Sequence, residues 1–355
     1  MHVGILTSGG DCQALNATMR GLALTLYRNV KDVEIIGFID GYKGLMYEKY
    51  KKMKPKDFYD ILNVGGSILG NSRCPFKRMR IIENGFDKVK AMKNTYKKLE
   101  LDCLVVLGGN GSIKSANMLS QEGLNVIALP KTIDNDAWGT DYTFGYSSAT
   151  AIATRYLDEI KTTAASHSRV FVIEVMGHKV GHICLSAGIA AGADVILLPE
   201  IPYDIKVVAK KVKETLKNEK NYAIIACAEG AISEADALMK KKDYKAKVLA
   251  RNGRSVVYEV ADELSQEIDA EIRVSCIGHA QRGGNPDSYD REISTRFGVE
   301  GARLIIKKHY GEYVVLQGNH VTHIPLEATA GKLKFVDTEG EIVQSAKLVG
   351  ISFGE

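Results

Sequence analysis

Short apolar runs recur along the chain and alternate with longer segments of mixed polarity. The runs are rich in Val, Ile and Leu and contain few polar positions. Strands that are apolar at nearly every position are typical of parallel sheets whose two faces are both covered. The pattern predicts eight such strands, at residues 3–7, 34–39, 103–107, 125–129, 169–175, 194–199, 222–228 and 272–277.

The segments between the strands are amphipathic and predict helices. In the clearest of them Asp204 is placed to cap a helix, and Ile205, Val208, Val212 and Leu216 follow with the helical period. Strands that alternate with helices favour an α/β fold with right-handed crossovers. Because such folds bind ligands at the carboxyl ends of their strands, we expect the functional residues there.

The size and charge of the chain narrow the possible functions. Its 355 residues allow two domains of ordinary size. The 47 basic and 43 acidic residues give a net charge of +4, which is too balanced to indicate a nucleic acid or a membrane as a partner. The lysine-rich stretch at 240–247 is therefore expected to be solvated surface.

The cysteines and the start of the chain indicate a compartment. The six cysteines are scattered and no two form a Cys-x-x-Cys pair, which is typical of free thiols under reducing conditions. The first residues enter a strand without the basic and apolar regions of a signal peptide, and no apolar run approaches about 18 residues. We expect a soluble, cytoplasmic protein.

Two glycine-rich turns each follow a predicted strand and precede a helix: TSGGD (Thr7–Asp11) and GGNGS (Gly108–Ser112). Glycines there let backbone N–H groups approach a phosphate, and a helix N-terminus favours negative charge. Gly111 has no side chain, so a bulky group can lie over it. The alternative is that these glycines only serve turns that need a positive φ.

The motif PKTIDND carries the strongest chemical signal. It places Thr132, Asp134 and Asp136 at a predicted strand end beside the second glycine turn. Two carboxylates so close repel each other unless a cation or a substrate hydroxyl lies nearby. One acid could activate a hydroxyl while the other holds Mg²⁺. The alternative is that both acids cap turns.

Arginines and a histidine complete the candidate site. The motif GHAQRGG contains His279 and Arg282, with Arg273 upstream, and Arg169 precedes another strand. Arginine forks bind phosphate with two hydrogen bonds, although a single arginine is more often a surface ion pair. Together with the glycine turns and the acids, they indicate phosphoryl transfer to a hydroxyl of a phosphorylated acceptor. The sequence has no Gly-x-x-x-x-Gly-Lys-Ser/Thr motif, which excludes a P-loop protein.

Five motifs together resemble the 6-phosphofructokinase family: TSGGD followed by LNATMRG, GGNGS, PKTIDNDAWGTDYTFG, SHSRVFVIEVMG and IGHAQRGG. The resemblance runs in order along nearly the whole chain. It implies a fold of two doubly wound, Rossmann-like three-layer domains with mainly parallel sheets. It also implies a donor domain of residues 1–145 plus 281–333 and an acceptor domain of residues 146–280 plus 334–355.

The resemblance implies transfer of a phosphoryl group from ATP to the 1-hydroxyl of fructose 6-phosphate in glycolysis, with Mg²⁺. Asp134 would be the general base, Thr132 and Gly10 would assist at the transferred phosphate, and Asp136 with Asn110 would hold the metal. The donor would lie against Gly10, Arg73, Cys74, Gly108, Asn110, Gly111 and Ser112. The sugar phosphate would lie against Thr132, Asp134, Arg169, Met176, Gly177, His178, Glu229, Arg273, His279 and Arg282.

In this family two of the arginines, here Arg169 and Arg273, reach the sugar phosphate of a neighbouring subunit. The resemblance therefore implies a homotetramer or homodimer with shared active sites.

Three positions depart from the family pattern. Asn110 stands where the family usually has an acid, His178 stands where it usually has an arginine, and Lys131 stands where many ATP-dependent members have glycine. Pyrophosphate-dependent relatives carry Asp at the position of Gly111, and its side chain would occupy the space of the nucleotide's α-phosphate. Lys131 favours pyrophosphate, but relatives with this Gly111 and Lys131 combination resemble ATP-dependent enzymes. We expect ATP, with pyrophosphate as the alternative.

A second alternative is a non-catalytic homologue that binds sugar phosphate and regulates a partner. Asn110 and His178 favour it, and the retained base Asp134 argues against it. Regulation by ADP or phosphoenolpyruvate is expected to be weak or absent, because the family's effector site is only partly matched. Its matching positions are Arg20, Lys161, Asp194 and Lys220, and its non-matching positions are Leu24, Asn218 and 54–56.

Overall fold

The computed structural model describes residues 1–218, 220–329 and 331–355, and these form two compact units. Each unit is built from two separate stretches of the chain. Unit one comprises Met1–Ser148 and Arg282–Lys334, and unit two comprises Ala149–Gln281 and Phe335–Glu355. The assignment of one unit to the donor and the other to the acceptor stays a prediction.

Strands and helices alternate along most of the chain. The strands are β1 (His2–Ser8), β2 (Glu34–Phe38), β3 (Tyr50–Met53), β4 (Cys103–Gly108), β5 (Val126–Pro130), β6 (Val170–Val175), β7 (Val195–Leu197), β8 (Ala223–Ala228), β9 (Ile272–Cys276), β10 (Glu312–Gln317) and β11 (His320–Pro325). The helices are α1 (Leu15–Asn29), α2 (Tyr42–Met46), α3 (Lys88–Lys98), α4 (Asn110–Gln121), α5 (Tyr146–His167), α6 (His182–Ala190), α7 (Ile205–Asn218), α8 (Glu234–Ala237), α9 (Lys241–Ala250), α10 (Val256–Ser265), α11 (Ser288–Ile306), α12 (Leu326–Thr329) and α13 (Glu341–Leu348).

Unit one contains a seven-stranded sheet in the order β11-β10-β5-β4-β1-β2-β3. Its five central strands are parallel, and antiparallel strands close both edges. All six residues of β4 and all five of β5 are buried, as expected for strands covered on both faces. The predicted α/β fold with mainly parallel sheets is confirmed.

Helices α1 and α11 of unit one approach each other closely because glycines face the contact. A Cβ at Gly21 would lie 2.7 Å from Thr295 O, and a Cβ at Gly298 would lie 2.3 Å from Thr18 O. No side chain fits at those distances, so the glycines permit backbone-to-backbone packing. The motif LNATMRG, which contains Gly21, therefore has a packing role.

Unit two contains a four-stranded, wholly parallel sheet in the order β7-β8-β6-β9. The end of the chain completes the β7 edge. Ser352 N donates to Asp194 O at 3.0 Å, and Ile196 N donates to Ser352 O at 2.9 Å. Phe353 is 2% exposed, so these last residues belong to the core of the unit.

In the described residues the structure contains all eight predicted strands, with bounds that differ by up to two residues, and three strands that were not predicted. The predicted helix begins where expected, because Asp204 accepts from Lys206 N at 2.8 Å before α7. The additional strands β3, β10 and β11 lie at or next to sheet edges. Within the described ranges, no helix is long and apolar enough to cross a membrane.

Candidate active site

Three turns lie side by side at the carboxyl ends of the central strands in unit one. The chain leaves β1 at Gly9, leaves β4 at Gly109 and leaves β5 at Lys131. Strand β4 is hydrogen-bonded in parallel to both β1 and β5, so the three carboxyl ends meet at the same edge. The two glycine turns and the acidic loop singled out in the sequence therefore adjoin one another.

The N-terminus of α4 is open to a ligand. Gly109 precedes the helix and provides no side-chain cap for the amides of Asn110, Gly111 and Ser112. A Cβ at Gly111 would meet nothing within 4 Å, and this glycine has no positive φ. The fold therefore does not require glycine at position 111, whereas Gly9, with a φ of +90°, serves a turn. The space over Gly111 is free for a bulky group.

Lys131 places a buried ammonium group among the glycine turns. Its Nζ donates to Gly10 O at 2.5 Å and lies 3.4 Å from the place of a Gly9 Cβ. Burial lowers the pKa of Lys131, and the neighbouring carboxylates of Asp134 and Asp136 act in the opposite direction. The amine is thus held next to the backbone that would receive phosphate oxygens.

The acidic loop after β5 is held by short-range hydrogen bonds. Asp134 N donates to Thr132 Oγ1 at 3.1 Å, and Thr143 Oγ1 donates to Thr132 O at 2.8 Å. Asn135 has a φ of +53°, which places its neighbours in a tight turn. Asp136 is 7% exposed and Asp134 is half-buried, so two carboxylates sit together at this strand end.

Two further residues predicted to bind the phosphoryl donor lie beside the first glycine turn, because a backbone hydrogen bond holds their segment there. Gly9 N donates to Ser72 O at 3.1 Å, which brings the adjacent Arg73 and Cys74 alongside the turn. Arg73 is exposed. The segment therefore presents a guanidinium group beside the TSGGD turn.

Arg282 also lies against this turn. Its Nη1 donates to Asp11 O at 3.0 Å. A Cβ at Gly10 would lie 2.9 Å from the same nitrogen, so glycine is needed at position 10 for Arg282 to take this place. This one contact accounts both for the glycine at position 10 and for the place of the Arg282 side chain.

In unit two, the turn after β6 is held by two side chains. Met176 N donates to Gln281 Oε1 at 2.9 Å, while Gly177 N and His178 N donate to Glu229 Oε1 at 3.2 and 2.6 Å. Glu229 directly follows the last residue of β8, and its side chain fixes the conformation of the turn after β6. The structure brings these predicted acceptor residues together. His279 is exposed on the neighbouring 3₁₀ turn Gly278–Arg282.

Arg169 and Arg273 lie at the other end of the same sheet. Arg169 precedes the first residue of β6 and its Nε donates to Glu271 Oε2 at 2.8 Å; Arg273 Nη2 donates to Glu271 Oε1. Strand β6 has six residues, which span about 20 Å at about 3.3 Å per residue. Within one chain, these arginines and Met176 cannot hold the same small ligand.

A model of the family described as phosphofructokinase matches residues 2–305. The chain belongs to the phosphofructokinase family. The predicted family and the predicted phosphofructokinase fold are both confirmed.

Curated members of the family are similar over nearly their whole length. The chain is 47% identical to the ATP-dependent 6-phosphofructokinase of Spirochaeta thermophila, over 99% of this chain and 97% of that protein. It is 41% identical to the ATP-dependent 6-phosphofructokinase 3 of Bacteroides thetaiotaomicron, over the full length of both.

Solved phosphofructokinases share the fold. The enzyme from Saccharomyces cerevisiae matches with a TM-score of 0.80 at 28% identity, over 92% of this chain and 45% of that chain. A pyrophosphate-dependent phosphofructokinase from Nitrosospira multiformis matches with a TM-score of 0.82 at 20% identity, over 96% of this chain and 87% of that chain. At that identity the second likeness concerns the fold alone.

The family implies Mg²⁺, and the side chains at the acidic loop fit this ion. Asp134 and Asp136 offer carboxylate oxygens, and Asn110 offers an amide oxygen because its nitrogen donates to Lys332 O at 2.6 Å. In the part of the chain that the structure describes, no three His, Cys, Asp or Glu residues group as a metal cage. Mg²⁺ usually takes one or two carboxylates together with substrate phosphates.

The positions that match the family's effector site include residues that serve the fold. Asp194 is 6% exposed; it accepts from Ile224 N at 2.8 Å and pairs with Lys220 Nζ at 3.1 Å. Lys161 pairs with Asp158 at 3.1 Å, and in unit one Arg20 Nε donates to Tyr59 O at 3.3 Å. Weak or absent regulation stays a prediction.

Two residues near the site have no motif that could have identified them. Lys334 N donates to Asp136 O at 2.9 Å, although about 200 residues separate the two along the chain. Burial lowers the pKa of Lys334 to about 8. Asp290 is wholly buried in α11 and accepts hydrogen bonds from the start of α5. An acid in the first turn of an amphipathic helix is a weak signal, because such acids are common at exposed N-termini.

Proposed function

We propose that the chain transfers the γ-phosphoryl group of ATP to the 1-hydroxyl of fructose 6-phosphate, giving fructose 1,6-bisphosphate and ADP in glycolysis. The observation that carries this proposal is the meeting of two glycine turns, the Lys131 ammonium and two carboxylates at adjacent strand ends. The names of the curated relatives support ATP as the donor. A glycolytic role implies the cytoplasm.

The donor would bind through its phosphates. Amides at the open N-terminus of α4 and the Lys131 ammonium offer hydrogen bonds and positive charge to phosphate oxygens. Asp136 and the Asn110 amide oxygen would hold Mg²⁺, which when bound offsets the negative charge of those oxygens. The open space over Gly111 leaves room for the nucleotide.

The acceptor hydroxyl would lose its proton to Asp134. This carboxylate is half-buried and its loop is fixed by Thr132, so it can be held in one orientation toward a hydroxyl. Thr132 would contact the transferred phosphate. The protein's part in the reaction is then positioning, charge and removal of one proton.

The sugar phosphate would be held by residues from two chains. Met176, Gly177, His178, Glu229, His279 and Arg282 would come from one subunit. Arg169 and Arg273 would come from a neighbour, and their distance along β6 from the Met176 turn supports this division. A homodimer or homotetramer with shared active sites follows as part of the proposal.

The alternatives are less well supported. Pyrophosphate as donor would agree with Lys131, but Gly111 leaves the nucleotide space open and the curated relatives are named ATP-dependent. A purely regulatory homologue would not need the base, and Asp134 is retained beside Lys131.

A coupled assay for fructose 1,6-bisphosphate tests the proposal. With fructose 6-phosphate and Mg²⁺ present, we expect product with ATP and little or none with pyrophosphate. Omission of fructose 6-phosphate controls for background hydrolysis of ATP. Product with pyrophosphate alone would support the first alternative, and no product with either donor, despite sugar-phosphate binding, would support the second.

A further inference from the structure

Three residues near the end of unit one lie across the acidic loop, and we call Lys332–Lys334 the strap. Leu333 pairs with Ala137 as an isolated antiparallel bridge, and Lys334 N donates to Asp136 O at 2.9 Å. The strap thus runs beside the loop as a short extra strand. Its backbone is hydrogen-bonded to the backbone of the acid that is the best candidate to hold the metal.

The side chains of the strap extend this contact along the loop. Lys334 Nζ donates to Thr140 O at 2.9 Å and to Asp141 O at 2.8 Å. Lys332 Nζ lies 4.2 Å from the centre of the Trp138 ring. The middle of the loop, residues 136–141, is therefore held by three consecutive residues.

Asn110 connects the strap to the helix that starts the donor site. Its Nδ2 donates to Lys332 O at 2.6 Å, from the first residue of α4. An ionised aspartate at position 110 could not make this bond, because it has no hydrogen to donate. A carboxylate there would place a negative oxygen against a carbonyl oxygen.

A small cavity lies beneath the strap, lined by Asn110, Trp138, Tyr313 and Lys332 among others. Its volume is about 10 Å³, roughly the space that a single water needs. The Tyr313 hydroxyl is buried, and in residues 1–218, 220–329 and 331–355 it has no hydrogen-bond partner.

We propose that Asn110 and the strap are positioning residues of the donor site. The strap fixes the acidic loop relative to the phosphate-binding turn of α4, and the Asn110 nitrogen is the latch that joins the two. Asparagine is then required at position 110 for its hydrogen-bond donor, and an acid there would release the strap. This inference rests on the donor site proposed above.

The latch can be observed without activity, because Trp138 is the single tryptophan of the chain and lies against the strap. We expect Asn110→Asp and Asn110→Ala to shift the Trp138 emission to the red and to increase its quenching by acrylamide. Asn94→Asp makes the same chemical change on the exposed face of α3 and should leave the emission unchanged. Unchanged emission in both Asn110 variants would contradict the proposal that Asn110 joins the strap to α4.

Kinetics separate a latch from a metal ligand. If Asn110 served only as a ligand, Asn110→Asp would bind Mg²⁺ at least as well as the wild type, because a carboxylate is the stronger ligand. If it is the latch, Asn110→Asp and Asn110→Ala should both raise the KM for MgATP, by about fivefold for the loss of one hydrogen bond. The KM for fructose 6-phosphate should change by less than about twofold. Wild-type behaviour of Asn110→Asp would overturn the proposal.

Lys334→Met tests the strap at a second point, since it removes the bonds to Thr140 O and Asp141 O and keeps the chain length. We expect the same red shift and the same selective rise in the KM for MgATP, while Lys97→Met on the exposed side of α3 behaves as the wild type. A normal KM for MgATP in Lys334→Met would contradict the strap. If the wild-type protein failed to use ATP, the proposed function would be wrong. The emission measurements would still show whether Asn110 joins the strap to α4.

Discussion

Gly111 shows how an absent side chain can specify a substrate. Neither a positive φ nor a crowded neighbour requires glycine there, since a Cβ would meet nothing within 4 Å. Most structural glycines of the chain differ in this respect; a Cβ at Gly108, for example, would lie 2.3 Å from Ser112 Cβ. The position is free to vary for the fold, so its glycine is best explained by what lies over it.

Gly111→Asp should therefore fold normally and lose ATP selectively. An acid in the first turn of α4 is favourable for the helix, but it adds bulk and charge beside the α-phosphate. One such pair of charges at about 4 Å costs on the order of 4 kcal/mol before screening. We expect kcat/KM for ATP to fall by at least about a hundredfold. Pyrophosphate use should stay unchanged or become detectable.

Steady-state kinetics with each donor measure this effect, and the thermal midpoint controls for folding. Gly123→Asp provides a matched control, because its Cβ would also meet nothing, although its φ of +89° makes a small loss of stability expected. Full ATP activity in Gly111→Asp would contradict the assignment of the GGNGS turn to the nucleotide.

Asp134→Asn tests the proton acceptor. The amide keeps the shape of the side chain but cannot take up the hydroxyl proton, and loss of a general base typically costs about 10²–10⁴ in rate. We expect kcat to fall by that factor while calorimetry still detects binding of fructose 6-phosphate. A turnover near that of the wild type would show that another group is the base.

Among the elements, the central strands β5, β4, β1 and β2 of the seven-stranded sheet were predicted, whereas its edge strands β3 and β11 and the adjacent β10 were not. All four strands of the smaller sheet were predicted, including its edge strands β7 and β9. Strands β4 and β5 carry apolar residues at nearly every position, and a short run of this kind is typical of a strand with both faces covered. Strand β3 has two exposed lysines, and β11 has no buried residue. The hairpin of β10 and β11 did have a signal in Gly318–Asn319, because glycine with a positive φ suits the first position of a two-residue turn.

The strap could not have been found from the sequence. Its contacts use backbone atoms or the common side chain of lysine, and they join residues about 200 positions apart. Neither a hydrophobic period nor a motif spacing in the sequence predicts such a contact. In contrast, the glycine turns and acids were found because their chemistry needs particular residue types at adjoining strand ends.

Helix α5 begins at a buried carboxylate that belongs to another helix. Asp290 of α11 accepts from Gly145 N at 2.9 Å, from Ser148 N at 2.9 Å and from Ser148 Oγ at 2.5 Å. The loop that carries Asp134 ends at this anchor. Burial raises the pKa of Asp290 to about 6 from its ordinary value of 3.8, although the hydrogen bonds act in the opposite direction.

Stability should respond to pH through Asp290. Between pH 3.8 and about 6 the folded chain binds this proton and the unfolded chain does not, so the contribution of Asp290 falls as the pH rises through that window. The free energy of unfolding of the wild type relative to Asp290→Asn should increase when the pH is lowered from 7 to 4, by at most about 3 kcal/mol. Urea unfolding at several pH values measures it.

Asp60→Asn, on an exposed side chain, is the control and should show no such dependence. If the difference in the free energy of unfolding between the wild type and Asp290→Asn stayed constant or became smaller toward pH 4, a folded-state pKa of about 6 for Asp290 would be wrong.

At the scale of the whole molecule, the sequence indicated the residues of the acceptor site but not their division between chains. The motif SHSRVFVIEVMG contains both Arg169 and Met176, and the predicted strand at 169–175 places them at its opposite ends. The family resemblance implied a neighbouring subunit, and the length of β6 gives the physical reason: a strand is too long for both ends to reach one phosphate.

Two inactive variants should restore activity when they are produced together. Asp134→Asn retains both arginines, and the double variant Arg169→Ala with Arg273→Ala retains the base. In a shared-site dimer with random pairing, one site in each mixed dimer is intact, so we expect about a quarter of the wild-type activity. Each variant alone should be nearly inactive. No recovery after co-production, with mixed oligomers verified by two affinity tags, would show that the sites are not shared.

The place of the last residues in unit two has a consequence for synthesis on the ribosome. Ser352 covers the edge of β7, and Asp204 N donates to Gly354 O at 2.8 Å, so that sheet stays incomplete until residues 352–354 have been synthesised. A nascent chain stalled after Lys334 already contains every described part of unit one, yet it exposes an open strand edge in unit two. A stop codon placed directly after residue 351 should therefore leave a polypeptide that needs chaperones and is prone to aggregate.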